Sequence, residues 1–252
     1  MISLNTVSKR YGDFTAVDAI GLEVKPGEIF GFLGPNGAGK TTTIKMLAGL
    51  IQPTSGTVTI DGWDLAQHPN RAKRVVGFIP DRPFLYEKLT ALEFLRFIAG
   101  LYNCSSNGVE ERITYLLRLF GLTDWHNELI ESFSHGMKQR LVMASAFIHQ
   151  PRLIIVDEPM VGLDPRGAKL VKDVFRGFCA QGGTVFMSTH TLEVAEEVCD
   201  RIAIIQQGKI IAVGTIKELR EKSGSEGSTL DAIFFKLIGG EEVQKVVEAL
   251  RF

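Results

Sequence analysis

The run Gly34-Pro35-Asn36-Gly37-Ala38-Gly39-Lys40-Thr41-Thr42 has the spacing G-x-x-x-x-G-K-[ST], which describes a loop that wraps phosphate. Glycines let successive backbone N–H groups turn inward toward an anion, and the N-terminus of a following helix adds partial positive charge. Lys40 has the reach to meet β- and γ-phosphates, and the Thr41 hydroxyl is a hard oxygen ligand for Mg²⁺. Apolar residues precede the loop (Ile29, Phe30, Phe32, Leu33), and Ile44, Met46, Leu47 and Leu50 follow at helical spacing. The loop is therefore expected between a strand and a helix, the context in which the pattern carries meaning.

A second set of polar residues lies far along the chain. Leu153-Ile154-Ile155-Val156 ends in Asp157-Glu158. A carboxylate at the end of such a buried strand can hold Mg²⁺ through its water shell, which suits Asp157. Glu158 beside it can polarise an attacking water as general base. Ser188-Thr189-His190 follows the apolar strand Thr184–Met187. The carboxyl end of a parallel strand faces the ligand crevice of an open α/β sheet, so His190 is placed to meet a γ-phosphate, although a lone histidine is more often structural. Phe133-Ser134-His135-Gly136-Met137 opens a helix, with Ser134 as its N-cap and Gly136 allowing close backbone approach. Tyr11 reads by default as a core aromatic.

The elements that must position these residues follow from pattern. Strands are expected at Ile2–Val7, Ile20–Val24, Thr57–Ile60, Val75–Ile79, Leu153–Val156 and Thr184–Met187. Ile202–Ile205 and Ile210–Val213 flank Gln207-Gly208-Lys209 as a hairpin. Residues 88–150 carry helical periodicity with few strand signals, and Leu170, Val171, Val174, Phe175 and Phe178 mark one face of a further helix. Thr215-Ile216-Lys217-Glu218 is a capping box. Residues 223–228 read as a linker, with a short amphipathic tail after it. The expected division is residues 1–222 as one nucleotide-binding domain with the helical insert, and 223–252 as linker and tail. Strands alternating with helices after residue 150 call for a parallel sheet.

Composition narrows the classes. The chain has 252 residues, 45% hydrophobic and 23% charged, with net charge −1. That gives no electrostatic reason to expect nucleic acid as a partner. Cys104, Cys179 and Cys199 form no C-x-x-C pair and read as small buried hydrophobes of a reducing compartment. The N-terminus lacks a signal-peptide pattern, and no apolar run approaches 18 residues.

In order, Tyr11, the loop 34–42, Ser134 with Gly136, Asp157-Glu158, Gly162-Leu163-Asp164-Pro165 and His190 resemble the ATP-binding subunit of ABC transporters over nearly the whole chain. The resemblance implies an α/β phosphate-loop NTPase core with a mostly parallel sheet, an antiparallel β edge and a helical subdomain. It implies ATP and Mg²⁺ as cofactors, and a head-to-tail dimer with two ATP molecules sandwiched between the phosphate loop of one subunit and the serine–glycine signature of the other. Carried over residue by residue, Tyr11 would stack on adenine with Val17 beside the ribose. Lys40 and Thr41 would hold phosphate and Mg²⁺, Glu158 would be the base, and His190 would sense the γ-phosphate. Asp164 would lie in the loop that communicates across the dimer, and Ser134 and Gly136 would touch the other subunit's ATP. Two positions depart from the family pattern. L-S-G-G-Q is replaced by Phe133-Ser134-His135-Gly136-Met137, and a usual glutamine is replaced by Asp81, a candidate for a metal-bound water. With the ending Leu230–Leu237, these variants look most like exporters whose permeases are separate chains.

The function expected is an ATPase subunit that powers an ABC transporter, an exporter, from the cytoplasmic face of the membrane. Its partners would be a permease and a second ATP-binding subunit. The alternative is a soluble ABC ATPase of a metallocluster-assembly or regulatory complex. Substrate contacts would belong to the permease, so the sequence does not name the cargo.

Overall fold

The computed structural model describes residues 1–104, 107–223 and 230–237. Two sheets and a helical lobe organise them. The first sheet is antiparallel: β1 (Ile2–Tyr11), β2 (Phe14–Val24), β4 (Ser55–Ile60) and β5 (Trp63–Asp64), in the order β2-β1-β4-β5. The second holds β3 (Ile29–Leu33), β6 (Val76–Ile79), β7 (Leu153–Asp157), β8 (Thr184–Thr189), β9 (Arg201–Gln206) and β10 (Lys209–Gly214), in the order β10-β9-β3-β8-β7-β6. It is parallel except for β10, which turns back on β9 as the expected hairpin.

Helix α1 (Lys40–Leu47) follows β3, and α2 (Pro69–Arg74) precedes β6. The helical lobe comprises α3 (Ala91–Leu101), α4 (Val109–Leu119) and α5 (His135–Ala146), inside the 88–150 span that periodicity marked. Helices α6 (Pro165–Ala180) and α7 (Leu192–Val198) flank the parallel sheet. Helix α8 (Ile216–Ser223) opens with the expected capping box, whose Thr215 Oγ1 accepts from Glu218 N and whose Glu218 Oε2 accepts from Thr215 N. Helix α9 (Leu230–Leu237) sends Leu230 and Ile233 into the core. The expected linker at residues 224–228 and the tail beyond 237 lie outside the described residues.

Alternation along the parallel strands explains the layering. Side chains on a strand point to opposite faces in turn. Phe30 and Phe32 of β3, Ile155 of β7 and Phe186 of β8 face one core, with Ile44, Met46 and Leu47 of α1 and the inner face of the antiparallel sheet. Leu33, Val156, Val185 and Met187 face the other core, which runs on into Phe94, Leu95, Leu117, Leu141 and Met143 of the helical lobe. Phe30 and Phe186 stack with ring centroids 5.9 Å apart. The sheet is buried on both sides, so its strands read as continuous apolar runs.

The parallel register places the chemistry. Leu33 pairs with Thr189 and Asp157 with Ser188, so β3, β7 and β8 end level with one another. The phosphate-loop pattern, the acidic pair and His190 all begin where those strands stop, at the carboxyl edge of the sheet.

Candidate active site

At that edge is a cleft of about 420 Å³ lined by Phe14, Ala16, Asn36, Gly37, Gly39, Lys40, Thr41, Thr42, Asp81, Asp157, Glu158 and His190. Five stretches distant in sequence meet there. The loop between β3 and α1 is fixed from behind. Gly39 has φ +109°, and a Cβ on it would stand 2.6 Å from the Ala16 carbonyl oxygen and 3.3 Å from Val17 Cγ2. Only glycine fits at that point. The Gly208 N–H of the β9–β10 turn donates to the Ala38 carbonyl at 3.0 Å, and Thr43 Oγ1 donates to the Gly39 carbonyl at 3.0 Å.

Lys40 is 7% exposed, and its ammonium donates to the carbonyls of Gly34 at 2.7 Å and Pro35 at 3.2 Å. Burial holds its pKa below the usual lysine value, while the negative charges of Glu158 and Asp157 pull the other way. A desolvated cation beside an opening is primed for an anion, because bringing one in restores the charge compensation that water no longer supplies.

Asp157 is 4% exposed and accepts a hydrogen bond from the Ser188 hydroxyl on Oδ1. Glu158 carries φ +52°, a left-handed conformation that is uncommon for a residue with a side chain. Its N–H donates to the Ser188 carbonyl at 3.2 Å, and its Oε1 accepts from His190 Nδ1–H at 2.8 Å. The histidine is mostly exposed and rests on the acid beside the opening.

The remaining expected residues lie elsewhere. Val17 is fully buried behind the loop, and Ala16 beside it lines the cleft. Gly34, Pro35 and Ala38 form the back of the loop. Tyr11 is about half exposed, with Lys9 Nζ 5.3 Å from its ring centre. Its antiparallel partner Phe14, 65% exposed, lines the cleft and escaped sequence reasoning. The register of a hairpin was the signal that could have found it. Ser134 and Gly136 lie outside the cleft, at the start of α5, where Ser134 Oγ caps the helix by accepting from Met137 N at 3.3 Å. Asp164 caps α6 by accepting from Gly167 N at 2.8 Å.

The donor set fits Mg²⁺. Thr41, Asp157 and Asp81 offer oxygens to one cleft, and no dense cluster of His, Cys, Asp or Glu occurs among the described residues. Mg²⁺ keeps several waters and is commonly held by one or two carboxylates together with substrate phosphates, so such a sparse set is the appropriate one.

The sequence profile of the ABC transporter family matches residues 17–161. The chain belongs to this family. An ABC relative, the linearmycin resistance ATP-binding protein LnrL of Bacillus subtilis, is 39% identical over 226 residues, which cover 90% of this chain and 73% of that protein. A solved ATP-binding subunit of an ABC transporter superposes with TM-score 0.89 at 36% identity, over 94% of this chain and 99% of the other. An ATP-binding cassette solved as a dimer in a post-hydrolysis state with ADP and Pi superposes with TM-score 0.76 at 27% identity, over 86% and 99%. This ABC subunit is therefore an ATPase that powers a transporter, with the expected mixed α/β fold. These relatives favour that function over the alternative of a soluble ATPase in a metallocluster-assembly or regulatory complex. Among its described residues no helix is long and apolar enough to cross a membrane.

Proposed function

We propose that the cleft at the carboxyl edge of the parallel sheet is the ATP site, that two such subunits close around two ATP molecules, and that the cycle drives export by a separate permease. The meeting of Lys40, Thr41, Asp157, Glu158 and His190 around one opening supports the site most directly. In this reading the inward N–H groups of residues 36–41 and the Lys40 ammonium bind the triphosphate. Binding draws Lys40 from the Gly34 and Pro35 carbonyls. Thr41, Asp157 and Asp81 would hold Mg²⁺, which neutralises phosphate charge and supplies Lewis acidity when bound. Tyr11 and Phe14, paired across the β1–β2 turn, offer aromatic surface to the base, and Val17 supports the sugar side from behind.

Glu158 takes the proton from the attacking water. His190 orients that carboxylate through Nδ1 and turns toward the γ-phosphate when ATP is bound. Ser134 and Gly136, displaced from their own chain's cleft, meet the nucleotide of the second subunit, and Asp164 follows the acidic strand into the same interface. The dimeric relative supports this arrangement.

The permease partner is supported by a surface. Just beyond Asp81, Phe84 is 85% exposed and Tyr86 is exposed with its ring 5.3 Å from that of exposed Phe97 on α3, whose last residue Leu101 is exposed as well. Exposed apolar side chains gathered beside the cleft fit a contact site. It leads from the Mg²⁺ end of the cleft onto the helical lobe. A location on the cytoplasmic face of the membrane follows from that contact. Export is inferred from the likeness to a resistance protein.

Replacing the base tests the site. Glu158→Gln preserves size and hydrogen bonding but not basicity, so ATP turnover should fall about 10²–10⁴-fold while nucleotide binding persists. Wild-type turnover in this variant would remove Glu158 from the role.

A further inference from the structure

The signature turn departs from its family pattern at His135, and the structure gives that departure a position. A Cβ on Gly162 would stand 2.2 Å from His135 Cδ2 and 2.4 Å from Nε2, so the imidazole lies directly on the Gly162 backbone. Gly162 has φ +77°. It belongs to the loop that runs from Glu158 to Asp164. The neighbouring Gly136 approaches the same loop, since its Cβ would stand 3.5 Å from the Gly162 carbonyl oxygen and 3.9 Å from Leu163 Cδ2. One helical turn beyond His135, on the same face of α5, Gln139 is fully buried, and both atoms of its amide lack a hydrogen-bond partner among the described residues. Unused polar capacity in a buried amide costs stability in this arrangement, and a second arrangement of its surroundings would recover it.

We infer that His135 is a positioning residue that docks the signature turn onto its own chain's acid loop, so that the part offered to the second subunit's ATP and the part leaving Glu158 move together. The inference rests on the sandwich reading above. A glycine at 135 cannot make this contact. A ring wedged on a side-chain-free backbone position holds the Ser134-His135-Gly136 turn in one orientation before a partner arrives. Preorganisation of this kind reduces what the turn must lose in freedom on closure. Each subunit then carries a mechanical link between one ATP site, through Glu158, and the other, through Ser134. Two linked sites show cooperative hydrolysis.

The test uses the full chain, with His135→Gly, Gly162→Ala and the double variant. Gly162→Ala displaces the imidazole because the new Cβ takes its place. In the Glu158→Gln background, ATP-driven dimerisation is followed by light scattering and single-chain affinity by titration with ADP. Hydrolysis against ATP concentration is measured with Glu158 intact. The expected result is that His135→Gly leaves ADP affinity unchanged and raises the ATP concentration for half-maximal dimerisation by about fivefold or more. The Hill coefficient falls from about 2 toward 1. Gly162→Ala, which displaces the ring and also strains the loop at φ +77°, should weaken dimerisation at least as much, and adding His135→Gly to it should cost little more. Unchanged dimerisation and Hill coefficient in His135→Gly, or fully additive effects, would overturn the inference. If the Glu158→Gln chain with His135 intact fails to dimerise with ATP, the sandwich reading itself fails.

Discussion

In the proposed sandwich, the cleft and the signature turn would meet one ligand in opposite ways. The cleft is recessed, and its charges are sunk: Lys40 and Asp157 are both nearly inaccessible, and each is held by neighbours in its own chain. The signature turn stands exposed at a helix start, with the Ser134 hydroxyl held by a 3.3 Å cap to Met137 N. The cleft can bind alone because Lys40 and Asp157 are already buried and held in place. In that reading the turn would contribute only when a second surface removes water from it. Affinity for nucleotide should therefore live in one place and assembly in another.

Lys40→Ala examines the first half and has the largest expected effect. Losing the charged hydrogen bonds to phosphate should weaken ATP binding by about 10–100-fold. Burial depresses the Lys40 pKa, so the charge is a cost to the empty fold, and the melting temperature without nucleotide should hold or rise. A large loss of stability would show that the lysine is structural and would blur the contrast. Ser134→Arg examines the second half. It should abolish ATP-driven dimerisation in the Glu158→Gln background and leave single-chain affinity nearly intact, as read by light scattering and nucleotide titration. Equal loss of both would mean that Ser134 acts on its own chain's nucleotide, and the comparison would collapse.

Asp81 tests whether the cleft reports outward. It lines the cleft two residues after β6, and the exposed aromatics begin three residues on. Asp81→Ala should reduce stimulation of ATPase by the reconstituted permease more than basal turnover, and Asp81→Gln should keep most of both. Unchanged stimulation in the alanine variant would leave Asp81 as a turn residue between Pro80 and Pro83.

The smallest effect lies where the two lobes join. His149 stacks on Tyr102 with centroids 3.7 Å apart, and its Nε2–H donates to the Val76 carbonyl of β6 at 3.0 Å. Burial lowers its pKa from 6.5 to about 4. Between those values the unfolded chain binds a proton that the native chain refuses, so stability falls as pH drops below about 6.5 and is unaffected above it. Partial exposure reduces the penalty to about 1 kcal/mol near pH 5, or about 2 °C in melting temperature. His149→Gln should flatten that slope in melts between pH 7 and 4.5. An identical slope in the variant would place the acid sensitivity elsewhere.

The cleft was legible because its chemistry is local: a phosphate loop needs glycines and a lysine within nine residues, and an acidic strand end announces itself. The antiparallel sheet was harder. Strands expected at Ile2–Val7 and Ile20–Val24 extend to Tyr11 and back to Phe14, because register shifts between Leu4 and Arg10 break the alternation that pattern reading depends on. Helices α2 and α7, of six and seven residues, are too short to establish a period. Phe14 carries no signal until Tyr11 is paired with it. The His135–Gly162 contact joins positions 27 apart, and nothing local in either segment foretells it.

Glu158 occupies a backbone conformation that glycine or asparagine would adopt more readily, at a cost of about 1 kcal/mol to the residue that is there. With Glu158 in its proposed role as base, folding and chemistry would pull in opposite directions at this position. A library of variants screened only for heat resistance would tend to replace Glu158 with glycine and, in that role, collect well-folded proteins that hold nucleotide without consuming it. The same drift is open to evolution once a duplicate copy is freed from turnover, so an inactive sister of this subunit is one relaxed backbone angle away.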